Sequence, residues 1–292
     1  MKEAPGVTIG LPVFNEEARI SRCMDALLCQ TYKNFRLIIS DNGSTDTTRI
    51  ACQQYLDKDS RIQLIRQDKN MGAFNNFIYV LSQAKTPYFM WAAADDMWSA
   101  NFLEELVADL ERKPDCAVTM PAFDRVDEEG RRLDTVKFSL NKDAKLYFLG
   151  MAWGVAGAVK YNCYMYGLFR TEILQRAARV FMNVPAGDRI FISQLALGVK
   201  FSCVDKVLYF KTLRKRSAAV RYKEEDFSIL AQRRFAPFYT AMNFVRTIFA
   251  SEIVPYPRKF LGILVAIFSL GFAAYAWAYL LLRKIKRGIW KF

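Results

Sequence analysis

The chain has 292 residues, of which 52% are hydrophobic and 24% are charged, and it carries a formal net charge of +13. This composition excludes a disordered chain, and the length suits one large domain or one domain with an appendage. Histidine is absent, which excludes a His-ligated zinc site, a Ser-His-Asp triad and a Cys-His dyad. Any acid, base or metal ligand must then be a carboxylate, lysine, tyrosine or cysteine.

The first 124 residues alternate short apolar runs with helical patterns. Buried strands are predicted at Val7–Phe14, Phe35–Ser40, Arg61–Arg66, Tyr88–Ala94 and Cys116–Phe123. Helices are predicted between them at Glu16–Gln30, Thr45–Leu56, Gly72–Ala84 and Asn101–Arg112. This alternation predicts βαβ units, and therefore an α/β fold with a doubly wound, mostly parallel sheet. Such sheets bind ligands beyond the carboxyl ends of their strands, so a site is expected there.

The end of the first predicted strand carries three candidate site residues. Pro12 restricts the backbone and removes one donor, and Asn15 and Glu16 offer polar groups to a ligand. The same residues would also suit a helix N-cap followed by an acidic first turn. This strand end alone does not decide between the two interpretations.

The ends of the second and third predicted strands carry an aspartate and two glycines. Asp41 can accept a hydrogen bond from a base N–H or a ribose hydroxyl, although a turn followed by a helix cap at Ser44 is the alternative. Gly43 permits a tight turn beside it. Gly72 lets a ligand approach the backbone at the start of a helix, where free N–H groups favour anions.

Two adjacent aspartates, Asp95 and Asp96, end the fourth predicted strand. A hard cation would relieve the repulsion between their charges, and Mg²⁺ or Mn²⁺ is typically bound by one or two carboxylates together with substrate phosphates. Neighbouring side chains on an extended chain point in opposite directions. We therefore expect one aspartate to reach a metal ion and the other to reach a ribose.

Beyond residue 124 the pattern becomes α+β. A turn is predicted at Asp127–Arg132, and further on a helix at Lys145–Val159, a strand at Tyr164–Phe169, a loop running into a helix at Pro185–Leu197, and a strand at Phe201–Phe210. The segment Phe227–Phe249 is amphipathic and rich in aromatic residues. It either lies in a membrane interface or packs against the preceding domain.

The C-terminal quarter is both basic and apolar. From residue 221 onward, twelve Lys and Arg residues stand against four Asp and Glu residues. Residues 260–282 contain no charged side chain, and as a helix they would extend roughly 34 Å at ~1.5 Å per residue, enough for a bilayer core. The basic tail that follows suits a headgroup region. This predicts a membrane-associated helix, either spanning the bilayer or re-entering it.

Four segments near the predicted strand ends, taken in order, resemble the inverting glycosyltransferase family 2, which has the GT-A fold. They are PVFNEE (12–17), SDNGSTDTT (40–48), NMGAFNN (70–76) and AAADD (92–96). The resemblance implies a GT-A catalytic domain at 1–220, with a nucleotide-sugar-binding half at 1–124 and an acceptor-side half at 125–220. An amphipathic helical region would follow at 221–257 and a hydrophobic membrane helix with a basic tail at 258–292.

Residue by residue, the resemblance implies a donor site and a metal ligand. The Pro12–Glu16 segment and Asp41 would hold the base and ribose, with Gly72 beside them, and Asp95 would touch the ribose or donor sugar. Asp96 would bind Mn²⁺ or Mg²⁺, which bridges the donor's diphosphate. This chain has AADD where many relatives have a spaced D-x-D.

The resemblance also implies a general base in the second half of the domain. Gly187-Asp188 stands where relatives often have Glu-Asp, so Asp188 is the predicted catalytic base, with a helix cap as the alternative. Many relatives place a histidine after the last strand, where this chain has the basic segment 211–216. Those residues would either neutralise the leaving diphosphate or form a solvated loop.

Together these features predict an inverting, metal-dependent glycosyltransferase. It would move a sugar from a nucleotide-diphosphate donor to a hydroxyl of a lipid-linked glycan, in surface polysaccharide or glycolipid synthesis. The N-terminal sequence lacks the apolar core of a signal peptide, so we expect the active site on the cytoplasmic face of the inner membrane, attached through the C-terminal helix. The alternatives are a polyprenyl-phosphate sugar synthase and a non-catalytic, membrane-bound nucleotide or partner binder.

Overall fold

The computed structural model describes residues 6–138, 163–184, 187–214, 236–260 and 263–264. The strands are β1 (Val7–Val13), β2 (Phe35–Asp41), β3 (Ile62–Arg66), β4 (Tyr88–Trp91), β5 (Met97–Trp98), β6 (Cys116–Val126), β7 (Arg132–Val136), β8 (Leu168–Arg170) and β9 (Lys200–Thr212). The helices are α1 (Ile20–Leu28), α2 (Thr48–Leu56), α3 (Ala73–Ser82), α4 (Phe102–Arg112), α5 (Thr171–Ala178), α6 (Gly187–Gly198) and α7 (Ala236–Ala250). The predicted helix Lys145–Val159 lies outside the described residues.

One half of the sheet is parallel, in the order β3-β2-β1-β4. Its strands are continuous apolar runs because helices cover them, which leaves residues such as Ile9, Leu37 and Phe89 without solvent contact. In register, Val13 at the end of β1 lies opposite Asp41 at the end of β2. The carboxyl ends of these strands therefore meet at one edge of the sheet, as the sequence predicted.

The other half of the sheet is mixed, so the sheet is rich in parallel pairs, as predicted, but it is not parallel throughout. β8 runs antiparallel to both β4 and β6, and β5 runs antiparallel to β9. β9 is parallel to β6 over nearly its whole length, from Cys116 opposite Lys200 to Val126 opposite Thr212. Because β5 follows directly after the Asp95-Asp96 pair, this pairing brings the end of β9 to those aspartates.

Two local predictions were wrong. Ser44 is not the N-cap of α2, which begins at Thr48, because the Ser44 hydroxyl instead accepts a hydrogen bond from the backbone of Asn15. The strand predicted at Tyr164–Phe169 begins only at Leu168. The residues before it form a short 3₁₀ turn, in which the Gly167 N–H donates to the Tyr164 carbonyl.

The described residues fall into two compact units. The first unit comprises residues 1–140, 163–179 and 199–216, and it contains the whole sheet. The second comprises 141–162, 180–198 and 217–292, and its described part is built on α6 and α7.

The helix α7 packs one apolar face against α6 within the second unit. Ile190 and Leu197 of α6 share a buried cluster with Phe244 and Ile248 of α7. The amide of Gln194 also donates to the Ser251 hydroxyl at 2.8 Å. The amphipathic segment Phe227–Phe249 was predicted either to lie in a membrane interface or to pack against protein. Packing against protein accounts for the buried face of α7.

No helix within the described ranges combines the length and the apolar character needed to cross a bilayer. Of the apolar stretch 260–282, the structure describes only residues 260, 263 and 264. The predicted membrane helix and its basic tail thus lie almost entirely outside the described residues.

Candidate active site

The loops that follow β1 and β2 are tied together by hydrogen bonds. The Asn15 N–H donates to the Ser44 hydroxyl at 3.0 Å, and the Thr45 N–H donates to the Asn15 side-chain oxygen at 2.9 Å. Both the N–H and the hydroxyl of Thr47 donate to a Glu17 carboxylate oxygen. Asn15 has a φ of +51°, a left-handed conformation that asparagine tolerates. Asn15 therefore positions the second loop, and its direct contact with a donor stays a prediction.

Asp41 supplies a buried acceptor at the end of β2. Its side chain has no solvent exposure, and its Oδ1 accepts from the Ser44 N–H at 2.9 Å. Its Oδ2 is also buried but has no hydrogen-bond partner among the described residues. A buried carboxylate oxygen without a donor is unfavourable, so a ligand N–H or hydroxyl at this position would be stabilised. Pro12, opposite Ser40 in register, borders the same strand ends.

The loop after β3 presents Gly72 to open space. Its φ of +86° is a conformation that favours glycine, and a Cβ added there would meet no atom within 4 Å. The side-chain oxygen of Asn70 accepts from the Gly72 N–H at 2.8 Å, and it also accepts from the Asn42 amide at 2.8 Å. This network fixes the start of α3 and leaves the glycine accessible to a ligand.

Asp96 is the most enclosed of the predicted site residues near β4, with a side chain that is 1% exposed. The Tyr209 hydroxyl donates to Oδ2, and the Thr212 N–H donates to Oδ1 at 2.9 Å. The Lys211 ammonium lies 3.7 Å from Oδ2 and 4.6 Å from the centre of the Tyr166 ring. Both carboxylate oxygens are therefore engaged by residues at the end of β9.

Burial and neighbouring charges shift the pKa values in this cluster. Burial raises the pKa of Asp96 to about 6, with Lys211 opposing the shift and Asp95 adding to it. Burial acts to lower the pKa of Lys211, but the Asp96 carboxylate and Tyr166 outweigh it and the pKa is raised. Lys211 therefore stays protonated, and its positive charge stabilises the ionised form of the buried Asp96 carboxyl.

The raised pKa of Asp96 predicts a pH-dependent stability in metal-free buffer. Between the pKa of an ordinary carboxyl and about 6, the folded protein binds a proton that the unfolded chain has released. Stability from this proton is present at acid pH and is lost as the pH rises through about 6. The free energy of unfolding of the parent chain, relative to Asp96→Asn, should thus fall by about 2 kcal/mol from about pH 4.5 to about pH 7. Denaturant titrations of both proteins at the two pH values measure this; a difference that does not change with pH would contradict it.

Asp95 and Glu16 share one guanidinium. The Arg214 Nε donates to Asp95 Oδ2 at 2.5 Å, and its Nη2 donates to Glu16 Oε1 at 2.6 Å. The Arg214 side chain is 18% exposed. Glu16 Oε2 is buried without a hydrogen bond among the described residues, although Arg19 Nη1 lies 3.6 Å from it. The loops that follow β1 and β4 are in this way joined to Arg214, two residues beyond the end of β9.

A cleft of about 220 Å³ opens beside these groups. Arg19 and Arg22, at the start of α1, line it together with Asp95, Asp96 and Glu128. Its walls thus carry both carboxylates and guanidinium groups. Such a lining can hold a cation and an anionic ligand at the same time.

The cysteine in this cleft, Cys23, is excluded as a nucleophile. Burial raises the pKa of its thiol well above the ordinary value, and the carboxylates of Asp96, Asp95 and Glu16 raise it further. The thiol is therefore protonated at neutral pH and unreactive.

The donor set of the cleft fits a hard divalent cation. The described residues contain no group of three or more His, Cys, Asp or Glu side chains placed to hold a metal ion by themselves. Mg²⁺ and Mn²⁺ need only one or two carboxylates when substrate phosphates complete the shell. Asp95, which uses only Oδ2 for Arg214, can offer its second oxygen. Asp96 would have to exchange its present partners, so its assignment as the metal ligand stays a prediction.

Asp188, the predicted base, lies exposed in the first turn of α6, in the second compact unit. Because α6 begins at Gly187, Asp188 is its second residue, and it lies inside the first turn and not at the N-cap position that the alternative named. Its catalytic role stays a prediction.

Two site residues, Tyr209 and Arg214, were not singled out from the sequence. Tyr209 looks like an ordinary aromatic residue of a buried strand, and Arg214 was one member of the basic segment 211–216. The segment's position just after the last strand was the available signal, because strand ends are where ligands bind. The structure places Lys211 and Arg214 at the carboxylates, whereas residues 215 and 216 lie outside the described ranges.

Comparison with known proteins identifies the family. The model of the family described as "Glycosyl transferase family 2" matches residues 8–176, which is more than half of the chain. The chain belongs to glycosyl transferase family 2. The resemblance inferred from the four strand-end segments is thereby confirmed. The match includes Asp41, Asp95 and Asp96, whereas Asp188 and the end of β9 lie beyond it.

Curated relatives match less than half of this chain. An Escherichia coli protein named UDP-Glc:alpha-D-GlcNAc-diphosphoundecaprenol beta-1,3-glucosyltransferase WfgD is 35% identical over 98 residues, 34% of this chain and 38% of the relative. The chain spans less than half the length of the first curated relatives that it matches.

Solved structures show the same fold. The crystal structure of Staphylococcus aureus TarS 1-349 in complex with UDP-GlcNAc has a TM-score of 0.64 at 17% identity, over 88% of this chain and 70% of that chain. The mannosyltransferase PcManGT from Pyrobaculum calidifontis, in complex with GDP-Man and Mn²⁺, has a TM-score of 0.57 at 17% identity, over 99% of this chain and 82% of that chain. These likenesses establish the α/β fold expected for the family.

Proposed function

We propose that the chain is an inverting glycosyltransferase that transfers a sugar from a nucleoside-diphosphate donor to a hydroxyl of a lipid-linked glycan. One observation carries this proposal. The acidic groups Glu16, Asp41, Asp95 and Asp96 stand at or just beyond the carboxyl ends of adjacent parallel strands, and Asp95 and Asp96 also line an open cleft. Clustered carboxylates of this kind are stabilised by a cation, which can hold a diphosphate.

The donor nucleoside would be held by the ends of β1 and β2. The Oδ2 of Asp41, which has no hydrogen-bond partner in the part of the chain that the structure describes, is suited to accept a base N–H or a ribose hydroxyl. Gly72 leaves room beside the N-terminus of α3, whose free N–H groups favour a negative charge. UDP-GlcNAc and GDP-Man bind to TarS and PcManGT, respectively, which supports a nucleotide sugar here without specifying the base or the sugar.

Asp95 and Asp96 would hold the Mn²⁺ or Mg²⁺. When bound, such an ion supplies stabilisation of the negative charge that develops on the leaving diphosphate. Asp95 is the better placed of the two, since Arg214 engages its Oδ2 and leaves Oδ1 to offer, whereas both oxygens of Asp96 are engaged. Asp96 orients the end of β9 through Tyr209 and the Thr212 N–H, and it holds the charge of Lys211 beside the site.

Asp188 would act as the general base. It would take the proton of the acceptor hydroxyl as that oxygen attacks the anomeric carbon, and the nucleoside diphosphate would leave from the opposite face. A single displacement inverts the anomeric configuration. The products are an inverted glycoside and a free nucleoside diphosphate.

A lipid-linked acceptor suits the C-terminal region. Tyr256, Phe260 and Leu264 are exposed apolar side chains that lead into the uncharged stretch 260–282. WfgD is named for transfer to a diphosphoundecaprenol-linked sugar, and another relative is named for teichuronic acid biosynthesis. We place the enzyme on the cytoplasmic face of the cell membrane, attached through the C-terminal helix.

A binding panel tests the donor site directly. We expect one nucleoside-diphosphate sugar to raise the melting temperature of the purified chain by several degrees in Mn²⁺ and by much less in a chelator. The panel would contain UDP-, GDP-, TDP- and CMP-linked sugars, with the matching monophosphates as controls. Failure of every nucleotide to shift the melting temperature, with and without metal, would leave the proposal without a donor site.

A further inference from the structure

Arg22 places a guanidinium on the wall of the cleft. It stands in the first turn of α1, three residues after Arg19, and residues at this spacing lie on the same side of a helix. Unlike Arg19, it makes no hydrogen bond and no ion pair with any residue in the described part of the chain. Its hydrogen-bond donors are therefore available to a ligand.

The turn between β6 and β7 lies against the Arg22 side chain. A Cβ added at Gly130, in this turn, would lie 3.4 Å from Arg22 Nη2. Gly130 has a φ of +82°, which favours glycine, and its lack of a side chain leaves the space into which the guanidinium reaches. Arg22 is thus held at the cleft wall between a helix and a turn, and does not extend freely from the surface.

This turn is acidic, yet its carboxylates contact basic groups other than Arg22. The contacts are Glu128 with Arg19 at 3.3 Å, Asp127 with Arg131 at 2.8 Å, and Glu129 with Arg131 at 3.3 Å. The side chain that is closest in sequence and charge therefore does not neutralise the Arg22 guanidinium.

The two aspartates that line the cleft also have basic partners of their own. Asp95 accepts from the Arg214 guanidinium, and Asp96 lies 3.7 Å from the Lys211 ammonium. Among the cleft-lining residues that the structure describes, Arg22 is thus a cation to which no carboxylate is assigned. Its charge is the one that the cleft can direct toward a bound molecule.

The chemistry of a guanidinium selects an anionic group as its partner. The planar fork of arginine matches the oxygens of a phosphate or a carboxylate in a bidentate manner, and such bonds are stronger than neutral hydrogen bonds. A cleft also concentrates the field of the charges that line it, which favours a ligand of opposite sign. The expected ligand of Arg22 is therefore a phosphate or carboxylate group.

The position of Arg22 assigns this group to a part of the substrates beyond the nucleoside. The cleft is lined by the start of α1, by residues 94–97, by Glu128 and by Thr212. The described residues that line it include none from the loops after β2 and β3, where Asp41 and Gly72 would hold the nucleoside. A molecule in the cleft beside Asp95 would thus lie where the acceptor has to approach the donor.

We propose that Arg22 binds an anionic group, a phosphate or a carboxylate, of the acceptor, and that it makes the enzyme selective for acidic acceptors. This inference rests on the proposed function and names the class of acceptor that the same site takes. Arg19 stays on Glu128 and closes the wall beside it. A neutral glycan would leave the Arg22 guanidinium without a partner and would bind less tightly.

Replacement of Arg22 by glutamine tests the acceptor site with the donor site filled. The full chain is first saturated with Mn²⁺ and with UDP or GDP, whichever it binds. We expect glucose 1-phosphate or methyl glucuronide to bind this complex more tightly than neutral methyl glucoside does. Arg22→Gln should lower the affinity for the acidic probe by about 10-fold or more, because a charged hydrogen-bonding pair is lost. Nuclear magnetic resonance titration measures these affinities, and the affinity for UDP or GDP should not change.

Three comparisons make the result specific. Arg49→Gln removes another exposed arginine, on α2 and outside the cleft lining, and should leave the affinity for every probe unchanged. Arg22→Lys keeps the charge without the planar fork, so its affinity for the acidic probe should lie between those of the parent chain and Arg22→Gln. Because Arg22 is exposed, all three variants should melt at the temperature of the parent chain.

A neutral and an acidic donor distinguish the acceptor from the transferred sugar as the source of the anion. The pairs are UDP-glucose with UDP-glucuronate, or GDP-mannose with GDP-mannuronate. Arg22→Gln should bind both members of a pair as the parent chain does. A loss of affinity for the acidic donor alone would overturn the assignment to the acceptor, because Arg22 would then bind the transferred sugar.

The remaining outcomes separate this inference from the function on which it rests. If the parent chain binds UDP or GDP but binds acidic and neutral probes equally well, the inference is wrong and the proposed function stands. The same holds if Arg22→Gln binds the acidic probe as tightly as the parent chain does. If the parent chain binds neither nucleotide, the proposed function fails at its donor site and the inference fails with it.

Discussion

Replacement of Asp188 by asparagine should lower the kcat of sugar transfer by about 10²- to 10⁴-fold, the range that positioned general bases contribute. Asparagine keeps the shape of the side chain, but it cannot take a proton. The substitution therefore separates the proposed base from a structural role in the first turn of α6. Because Asp188 is exposed at the start of α6, the variant should fold normally.

The donor side should not change in this variant. We expect the Asp188→Asn protein to bind nucleotide and Mn²⁺ as the parent chain does, since the proposed donor-binding residues lie at or just beyond the ends of β1, β2 and β4. Arg189→Gln, at the next exposed position of the same turn, is the matched control and should retain transfer. Transfer by Asp188→Asn at the rate of the control would remove Asp188 from the mechanism.

Replacement of Asp95 by asparagine should abolish the metal-dependent part of donor binding. A metal ion contributes several kcal/mol, so the affinity for the nucleoside diphosphate in Mn²⁺ should fall on the order of 100-fold or more. In a chelator, the affinity should stay the same or rise slightly, because one of the negative charges that repel the diphosphate has been removed. Titration calorimetry in both buffers measures the two effects.

Asp96→Asn is the comparison that assigns the metal. If Asp96 chiefly orients β9, its replacement should alter stability through lost contacts with Tyr209, Thr212 and Lys211, and Mn²⁺-dependent binding should persist at reduced strength. If Asp96 is the ligand, its replacement should remove Mn²⁺ dependence and Asp95→Asn should keep it. The second result would contradict the choice of Asp95 that the geometry favours. It would support Asp96, the metal ligand inferred from the sequence.

Much of the site could be predicted because its chemistry is local in the chain. Each βα unit can be recognised in the sequence by an apolar run followed by a helical pattern. Its ligand-binding residues come directly after the strand. Asp41, Gly72, Asp95 and Asp96 were recognisable on those grounds. β1 pairs in parallel with both β2 and β4, which brings the carboxyl ends of the three strands together. This arrangement follows from the parallel connections between the strands and not from any one residue.

The sequence by itself thus determined the family, the parallel half of the sheet and the carboxylates at its edge. Only the tertiary structure decided which charges meet there. Arg214 reaches Glu16 and Asp95 across 198 and 119 residues of chain, and Tyr209 reaches Asp96 across 113. No periodicity or local spacing encodes such contacts, because they depend on the register between β6 and β9 and on the turn into β5. The burial of the Asp96 carboxyl also depends on the tertiary structure. Its pKa is raised only because elements distant in the chain cover it.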